Sequence, residues 1–284
     1  MKLHKTLTTI GGLRFDRLGL FGLLALLLLV FLGAAGPFLP LGDPTEIGAG
    51  PRLGPPSLAF PVGNDELGRN VLPRVIEGIG FTFLLSSVAV AVTAIIGTLL
   101  GMAAGYLRGF YDGIIARIAD ILFAFPALLF GLLAAAVLGP GNFSAIIVIS
   151  TATLPLFIRV VRSVTLSFAE REFVLAAVVS GASTWRVLWV HLLPNVLGAA
   201  IVQFTYALSI GMLIESGLSF LGLGVQPPSA SLGSLLRLGS VYLTVSPWLV
   251  LVPGLVLALA IMSVNLLGDA IRNALEPLRG RPLT

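Results

Sequence analysis

The sequence predicts an all-α, polytopic membrane protein with six transmembrane helices. Three observations carry that expectation. Hydrophobic residues make up 57% of the chain and charged ones 11%, with a mean hydropathy of +1.03; a soluble globular chain carries about 25% charged residues. Uncharged stretches recur at lengths that suit the ~20 residues needed to cross ~30 Å of hydrocarbon. The basic residues, finally, are divided unevenly between the two ends of those stretches. With 284 residues in all, so many spans leave little chain for a soluble module.

Taken in order, Leu18 to Gly42 is free of charge and follows Lys2, Lys5, Arg14 and Arg17. Gly33-Ala34-Ala35 has the small residues of a signal-peptide cleavage site. The long basic lead and an apolar run beyond the usual ~7–15 residues favour an uncleaved anchor instead. Gly78 to Leu107 gives the second span. Ile121 to Ile158 is too long for one, and Gly139-Pro140-Gly141-Asn142 supplies the turn that splits it. Leu192 to Ile214 is the fifth span. Leu238 to Leu267 is the sixth, expected to start near Pro247.

Numbering these helices alternately puts 13 of the 17 lysines and arginines on one side, the other side holding Arg52, Arg69, Arg74 and Arg237. By the positive-inside rule the richer side is cytoplasmic. Both termini and the segment 170–195 are therefore expected inside, and 43–80 outside. The outer loop carries Asp43, Glu46, Asp65, Glu66 and Glu77 against three arginines. It reads either as a contact for a binding protein or as a solvated loop with one surface helix.

Several chemistries are not expected. The chain has no cysteine, and its two histidines, His4 and His191, lie far apart, so no metal cluster or disulfide frame is anticipated. No G-x-x-x-x-G-K-[ST] phosphate loop occurs. Neither histidine falls at membrane depth to serve an intramembrane serine. No internal repeat is visible and buried carboxylates are few, which weakens a self-powered carrier. The expectation is no enzyme activity, no cofactor or metal held by this chain, and no nucleic-acid partner.

Within the spans, Gly97, Gly101 and Gly105 form a small-residue stripe suited to close helix packing. Pro126 in FAFPALLF is expected to bend the third span, for fold or for gating. Arg159 and Arg162 are placed to snorkel, and Asp120 to pair with Arg117 one turn away. Glu215 is costly at membrane depth; it reads as a residue of a translocation path or as a hydrogen-bonded brace for the Gly-rich turn after it.

A polar, small-residue-rich stretch lies between two spans: EREFVLAAVVSGASTWRVLWVHLLPN, residues 170–195. Phe173, Ala176, Ala177 and Ser180 recur at helical spacing and make one face small and smooth. Gly181 can end that helix in a left-handed conformation. Ser183 or Thr184 can cap the next, on which Trp185, Leu188, Trp189 and Leu192 form an apolar stripe, and Pro194 marks the step into the fifth span. Such a helix–turn–helix is a dock for another protein or an interfacial amphipathic hairpin.

This stretch resembles the cytoplasmic "EAA" loop of permease subunits of bacterial ABC importers. It is most similar to the second permease of the dipeptide/oligopeptide/nickel group. VGNDELGRNVLPR (62–74), ESGLSFLGLGVQPPSASLG (215–233) and NLLGDAIRNALEP (265–277) resemble that group's other ordered motifs, so the likeness covers roughly residues 15–277. Leu175 stands where the loop's glutamate is usual, and Val178 where arginine is common.

The resemblance implies a type I importer permease in the bacterial inner membrane, most similar to importers of di- and oligopeptides. Relatives serve nickel, glutathione or oligosaccharide, and an ATP-independent carrier or channel is the rival of another class. It implies a homologous second permease, two cytoplasmic ATPase subunits holding ATP and Mg, and an extracytoplasmic substrate-binding protein. The expected division is 1–42 for the cytoplasmic lead and first span, 43–80 for the outer loop, and 81–284 for a five-helix core with its coupling loop at 159–194. Phe173, Ala176, Ala177, Ser180, Gly181, Ala182 and Pro194 are the residues that the likeness assigns to ATPase coupling.

Overall fold

Asn70 starts the helix on which the rest of the molecule packs. Its side chain accepts a hydrogen bond from the Leu72 backbone N–H at 3.2 Å, satisfying a donor that the first turn of a helix cannot use. From there α2 runs over Val71–Leu107, 37 residues, about 55 Å at ~1.5 Å per residue. It begins before Gly78, the first residue of the uncharged stretch, because Arg74 and Glu77 are folded into its opening turns.

The computed structural model describes residues 8–10, 13–15 and 17–275. Lys2, Lys5, Arg279 and Arg281, counted above in the charge split, lie outside them, as do His4 and the last two residues of the tail motif, Glu276 and Pro277. A short antiparallel pair, β1 (Thr8–Ile10) with β2 (Leu13–Phe15), precedes α1 (Arg17–Ala35). After α2 come α3 (Gly109–Ala124), α4 (Ala127–Leu138), α5 (Asn142–Ala169), α6 (Glu172–Val179) and α7 (Thr184–Arg186). Then follow α8 (Leu193–Phe220), α9 (Leu232–Val241) and α10 (Trp248–Leu275).

Five helical runs among the described residues are long and apolar enough to cross a membrane: α1, α2, α5, Thr184–Phe220 and α10. α3 and α4 pass the same test only as a pair, bent by 89°; taken as one broken span they bring the number to six. The bend expected at Pro126 is thus a full break. Phe125 and Pro126 are extended, and α4 restarts at Ala127. Between α4 and α5 the chain reverses at Gly139 and Gly141, with φ of 83° and 148° that other residues rarely adopt.

Pro194 behaves differently from expectation. It makes no step, and the helix continues from Thr184 to Phe220. Proline lacks the N–H that would bond four residues back. The chain absorbs this in a π-helical turn, Val187–Leu192, and the Asn195 side-chain amide donates to the His191 carbonyl at 2.7 Å.

Two packing layers hold the bundle. One core joins α2, α8, α9 and α10 through Val75, Ile79, Phe83, Met212, Leu232 and Val264. The other joins α2 and α5, where the glycine stripe does what its spacing predicts. A Cβ at Gly101 would lie 2.7 Å from Val161 Cβ and 2.9 Å from the Ile158 carbonyl; Gly97 meets Phe157, and Gly105 would meet Thr165 at 2.7 Å. Above the stripe, Thr93 donates to the Ser150 carbonyl at 3.2 Å and Ser150 to the Ala89 carbonyl at 3.0 Å. Backbones approach closely, and small polar side chains bond across the gap, as packing inside a bilayer favours.

The charged residues of α3 also depart from expectation. Asp120 pairs with Arg159 of α5 at 2.8 Å, not with Arg117. Arg162 forks onto both carboxylate oxygens of Asp112. Because α3 lies along α5, Asp120 and Asp112 face the arginines of α5; the Arg162–Asp112 contact is two-pronged, whereas the Arg159–Asp120 contact is a single one between exposed side chains.

Candidate functional site

Residues 170–195 fold as a helical hairpin. Arg171 precedes α6, and Gly181 turns the chain with φ +84°, in open space, so the glycine serves the backbone and not a tight contact. Ser183 caps the return helix, accepting from the Arg186 backbone N–H at 3.3 Å. The hairpin has its own small core of Val174, Val187 and Leu192, all fully buried, with Tyr106, Phe168, Ala182 and Leu188 packed on it. At its entrance Arg108 bonds Glu170 at 2.7 Å, tying the α2–α3 corner to the hairpin.

The expected site residues divide over this unit. Phe173, Ala176, Ser180 and Gly181 are exposed, Ala177 and Ala182 are half-buried, and Pro194 is exposed in the first turn of α8. Phe173 stands beside His191, ring centroids 6.5 Å apart. The exposed surface also includes Leu175, Val178 and, at 89% exposure, Val179. The two positions where this chain departs from the EAA pattern therefore lie on the outward side, and make it apolar. The stripe on the return helix splits: Leu192 is buried, Leu188 half-buried, and Trp185 and Trp189 are exposed, their ring centroids 5.1 Å apart with the planes tilted by 55°.

Glu215 lies far from the hairpin, near the other end of the same helical run. It is fully buried. Ser219 Oγ donates to its Oε1 at 2.7 Å, Thr82 Oγ1 to its Oε2 at 2.9 Å and Ser216 Oγ to Oε2 at 3.4 Å. The partners carry the network on. Thr82 accepts from the Leu232 backbone N–H at 3.3 Å, and Ser219 from that of Val225 at 3.1 Å. One carboxylate thus gathers α2, α8, the 221–231 turn and the start of α9. Ser219, one helical turn from Glu215, was open to sequence reasoning; Thr82, 133 residues away, had no local signal.

The outer loop is ordered, not merely solvated. Asp65 takes the backbone N–H groups of Leu67 and Arg69, each at 2.9 Å, and the Arg69 guanidinium at 2.6 Å; Arg74, 2% exposed, approaches it at 3.7 Å. A buried carboxylate held by this many donors needs no solvent. Among the described residues there is no group of histidines and acids able to hold a metal ion.

The comparisons agree with this geometry. Residues 97–281 match the family model described as binding-protein-dependent transport system inner membrane component. The chain is 38% identical over 262 residues to the di/tripeptide transport system permease protein DppC of Pseudomonas aeruginosa, covering 90% of this chain and 86% of that one. With the glutathione transport system permease protein GsiD of Pectobacterium atrosepticum it shares 35% over 222 residues, 78% of this chain and 74% of that one. Its fold matches that of the inward-facing MetNI methionine ABC transporter, with a TM-score of 0.61 at 16% identity, over 72% of this chain and 97% of that one. The chain therefore belongs to the family of binding-protein-dependent transport system inner membrane components, and is a multi-pass permease subunit of an ABC importer.

Proposed function

We propose that this permease serves an importer of di- and oligopeptides and that the hairpin 170–195 is where ATP-driven motion enters it. The substrate reading is carried by one observation, the 38% identity to a di/tripeptide permease over nine-tenths of the chain. The relative that carries glutathione, itself a peptide, favours the same chemical class. In this reading the chain works beside a homologous second permease. Two cytoplasmic ATPase subunits hold the ATP and Mg, and an extracytoplasmic binding protein presents the substrate. Both termini and the hairpin lie in the cytoplasm, on the side where 13 of the 17 basic residues fall.

The coupling role is supported by the outward surface of α6. Leu175, Val178 and Val179 are exposed and apolar around the small positions Ala176 and Ser180. Burying such a side chain yields about 1.5–3 kcal/mol. An apolar groove on the ATPase therefore gains more from this hairpin than solvent does.

The test is Ala176→Trp, an exposed position where the free chain has room for the change. Overpacking a docked face costs about 1–3 kcal/mol, so ATPase binding is expected to weaken about ten- to a hundredfold. Membrane insertion and pairing with the second permease should stay normal. Gly181→Val should act alike, through strain at positive φ. Intact ATPase binding and substrate-stimulated hydrolysis in both variants would show that the hairpin only rests on the membrane surface.

A further inference from the structure

Near the end of α1 remote from the amino terminus, α1 and α2 cross and then part. They cross at glycines: a Cβ on Gly33 would lie 2.9 Å from the Gly80 nitrogen, and one on Gly36 would lie 2.7 Å from the Ile76 side chain. Beside this crossing a trough of about 770 Å³ opens, within the size range of ligand sites. One wall is the α2 face Glu77, Gly80, Phe81, Leu84 and Ser87; the other is Val30, Gly33 and Ala34 of α1. Val30 and Leu84 are 44% and 58% exposed, so the trough continues onto the apolar outer surfaces of two spans, where its neighbour is hydrocarbon.

The end of the trough at the outer loop is different. Asp43 and Glu77 both line it, near enough to each other for their charges to interact. Thr45 donates from both its backbone N–H (2.7 Å) and its hydroxyl (2.6 Å) to the same oxygen of Asp43, Oδ1. Oδ2 is left open, and the two bonds hold the carboxyl below its ordinary range, so Asp43 is ionised at neutral pH. Glu77 takes the Ala230 backbone N–H but has an oxygen, Oε2, without a partner. Arg74, whose charge attracts Glu77, does not line the trough. Its guanidinium is engaged by the Pro44 carbonyl at 3.0 Å and by Asp65 at 3.7 Å.

An apolar channel open to the bilayer and ending in two carboxylates complements an amphiphile with a cationic head. We infer that the trough between α1 and α2 is a binding site for a phospholipid whose headgroup carries a primary ammonium. One acyl chain lies along Val30, Phe83 and Leu84, and the ammonium meets Asp43 and Glu77. Such a lipid fills the trough beside the glycine contact and sets one positive charge against the two acids. A phospholipid whose headgroup lacks a cation satisfies the apolar part only.

The experiment uses the intact importer in nanodiscs, with Phe81→Trp as a reporter and the same complex without it as background for Trp185, Trp189 and Trp248. Phosphatidylethanolamine or phosphatidylglycerol with brominated acyl chains is added at equal fractions. One partly exposed charge contact is worth about a two- to fivefold preference, so brominated phosphatidylethanolamine is expected to quench at about a two- to fivefold lower fraction. Asp43→Asn, an exposed change that leaves the fold alone, should abolish that preference, and Glu77→Gln should reduce it. Equal quenching by the two lipids, or a preference indifferent to Asp43→Asn, would overturn the site. So would absence of quenching by either lipid in the intact complex, which would mean that the partner permease fills the trough. Relief of quenching by added dipeptide would also overturn it, by assigning the carboxylates to substrate.

Discussion

Replacing Glu215 by leucine tests what the buried carboxylate does. The change conserves volume roughly and removes both acceptors, so the cost is chiefly that of stranded hydroxyls. Ser219 at 2.7 Å and Thr82 at 2.9 Å each lose a short bond, and Ser216 loses a longer one at 3.4 Å. A buried donor left unsatisfied costs about 1–3 kcal/mol in soluble proteins, whereas hydrogen bonds in membrane bundles average about 0.6 kcal/mol. For two short bonds whose partners also position Leu232 and Val225, the expected loss is about 2–4 kcal/mol. Glutamine keeps an oxygen for Ser219, and should lose no more than about 1 kcal/mol. Unfolding of the purified complex by detergent titration reads the stability, and uptake into proteoliposomes reads function. A brace predicts that Glu215→Gln transports nearly normally while Glu215→Leu assembles poorly. Loss of transport in Glu215→Gln at unchanged stability would place the carboxylate in contact with substrate instead. A leucine variant as stable and active as the native chain would refute the whole account of the network.

The glycine stripe gives a second expectation. Gly101→Leu drives side-chain atoms into Val161 and the Ile158 carbonyl, and should destabilise by about 1–3 kcal/mol or prevent assembly. Gly113→Ala, in open space on α3, should stay within about 0.5 kcal/mol of the native protein in the same titration. Topology is read by labelling single introduced cysteines, for which the native chain offers no background. Positions 175–190 should react only from the cytoplasmic side and positions 44–60 only from outside; outside labelling at 180 would reverse the orientation and remove the coupling role with it.

The residues explain why part of this was legible in the sequence. Spans are selected by the absence of charge, and Gly97, Gly101 and Gly105 announce a close approach through spacing alone. Gly181 and Ser183 mark the hairpin turn because backbone geometry there demands their chemistry. What escaped was set by partners distant along the chain. Nothing near Asp120 points to Arg159, and nothing near Glu215 points to Thr82. Asp65, Arg69 and Arg74 read as the charges of a wet loop, yet backbone N–H groups from the turn itself let them be buried. The π-turn before Pro194 was hidden for a different reason. Proline predicts that one hydrogen bond is missing, but not whether the helix breaks or widens.

That widening matters for how the two candidate sites relate. Because the helix does not break at Pro194, the hairpin and Glu215 belong to one rod. Thr184 to Glu215 is about 46 Å of α-helix at ~1.5 Å per residue, longer than the ~30 Å hydrocarbon core. The Glu215 end is fixed by hydrogen bonds to α2 and, through Thr82 and Ser219, to α9 and the turn before it. The hairpin end is held by two cores, Val174, Val187 and Leu192 within the hairpin and Met102, Val161, Val196 and Ala200 beside Pro194, and by the exposed ion pair Arg108–Glu170. On the coupling role proposed above, force on the hairpin reaches the run at its Thr184 end and turns it against those cores. The π-turn, where the regular i→i+4 ladder is interrupted, is the place along it where that rotation can be taken up as a bend. On that proposal the displacement is taken up first at the π-turn, and the hydrogen-bonded Glu215 end is the last to move.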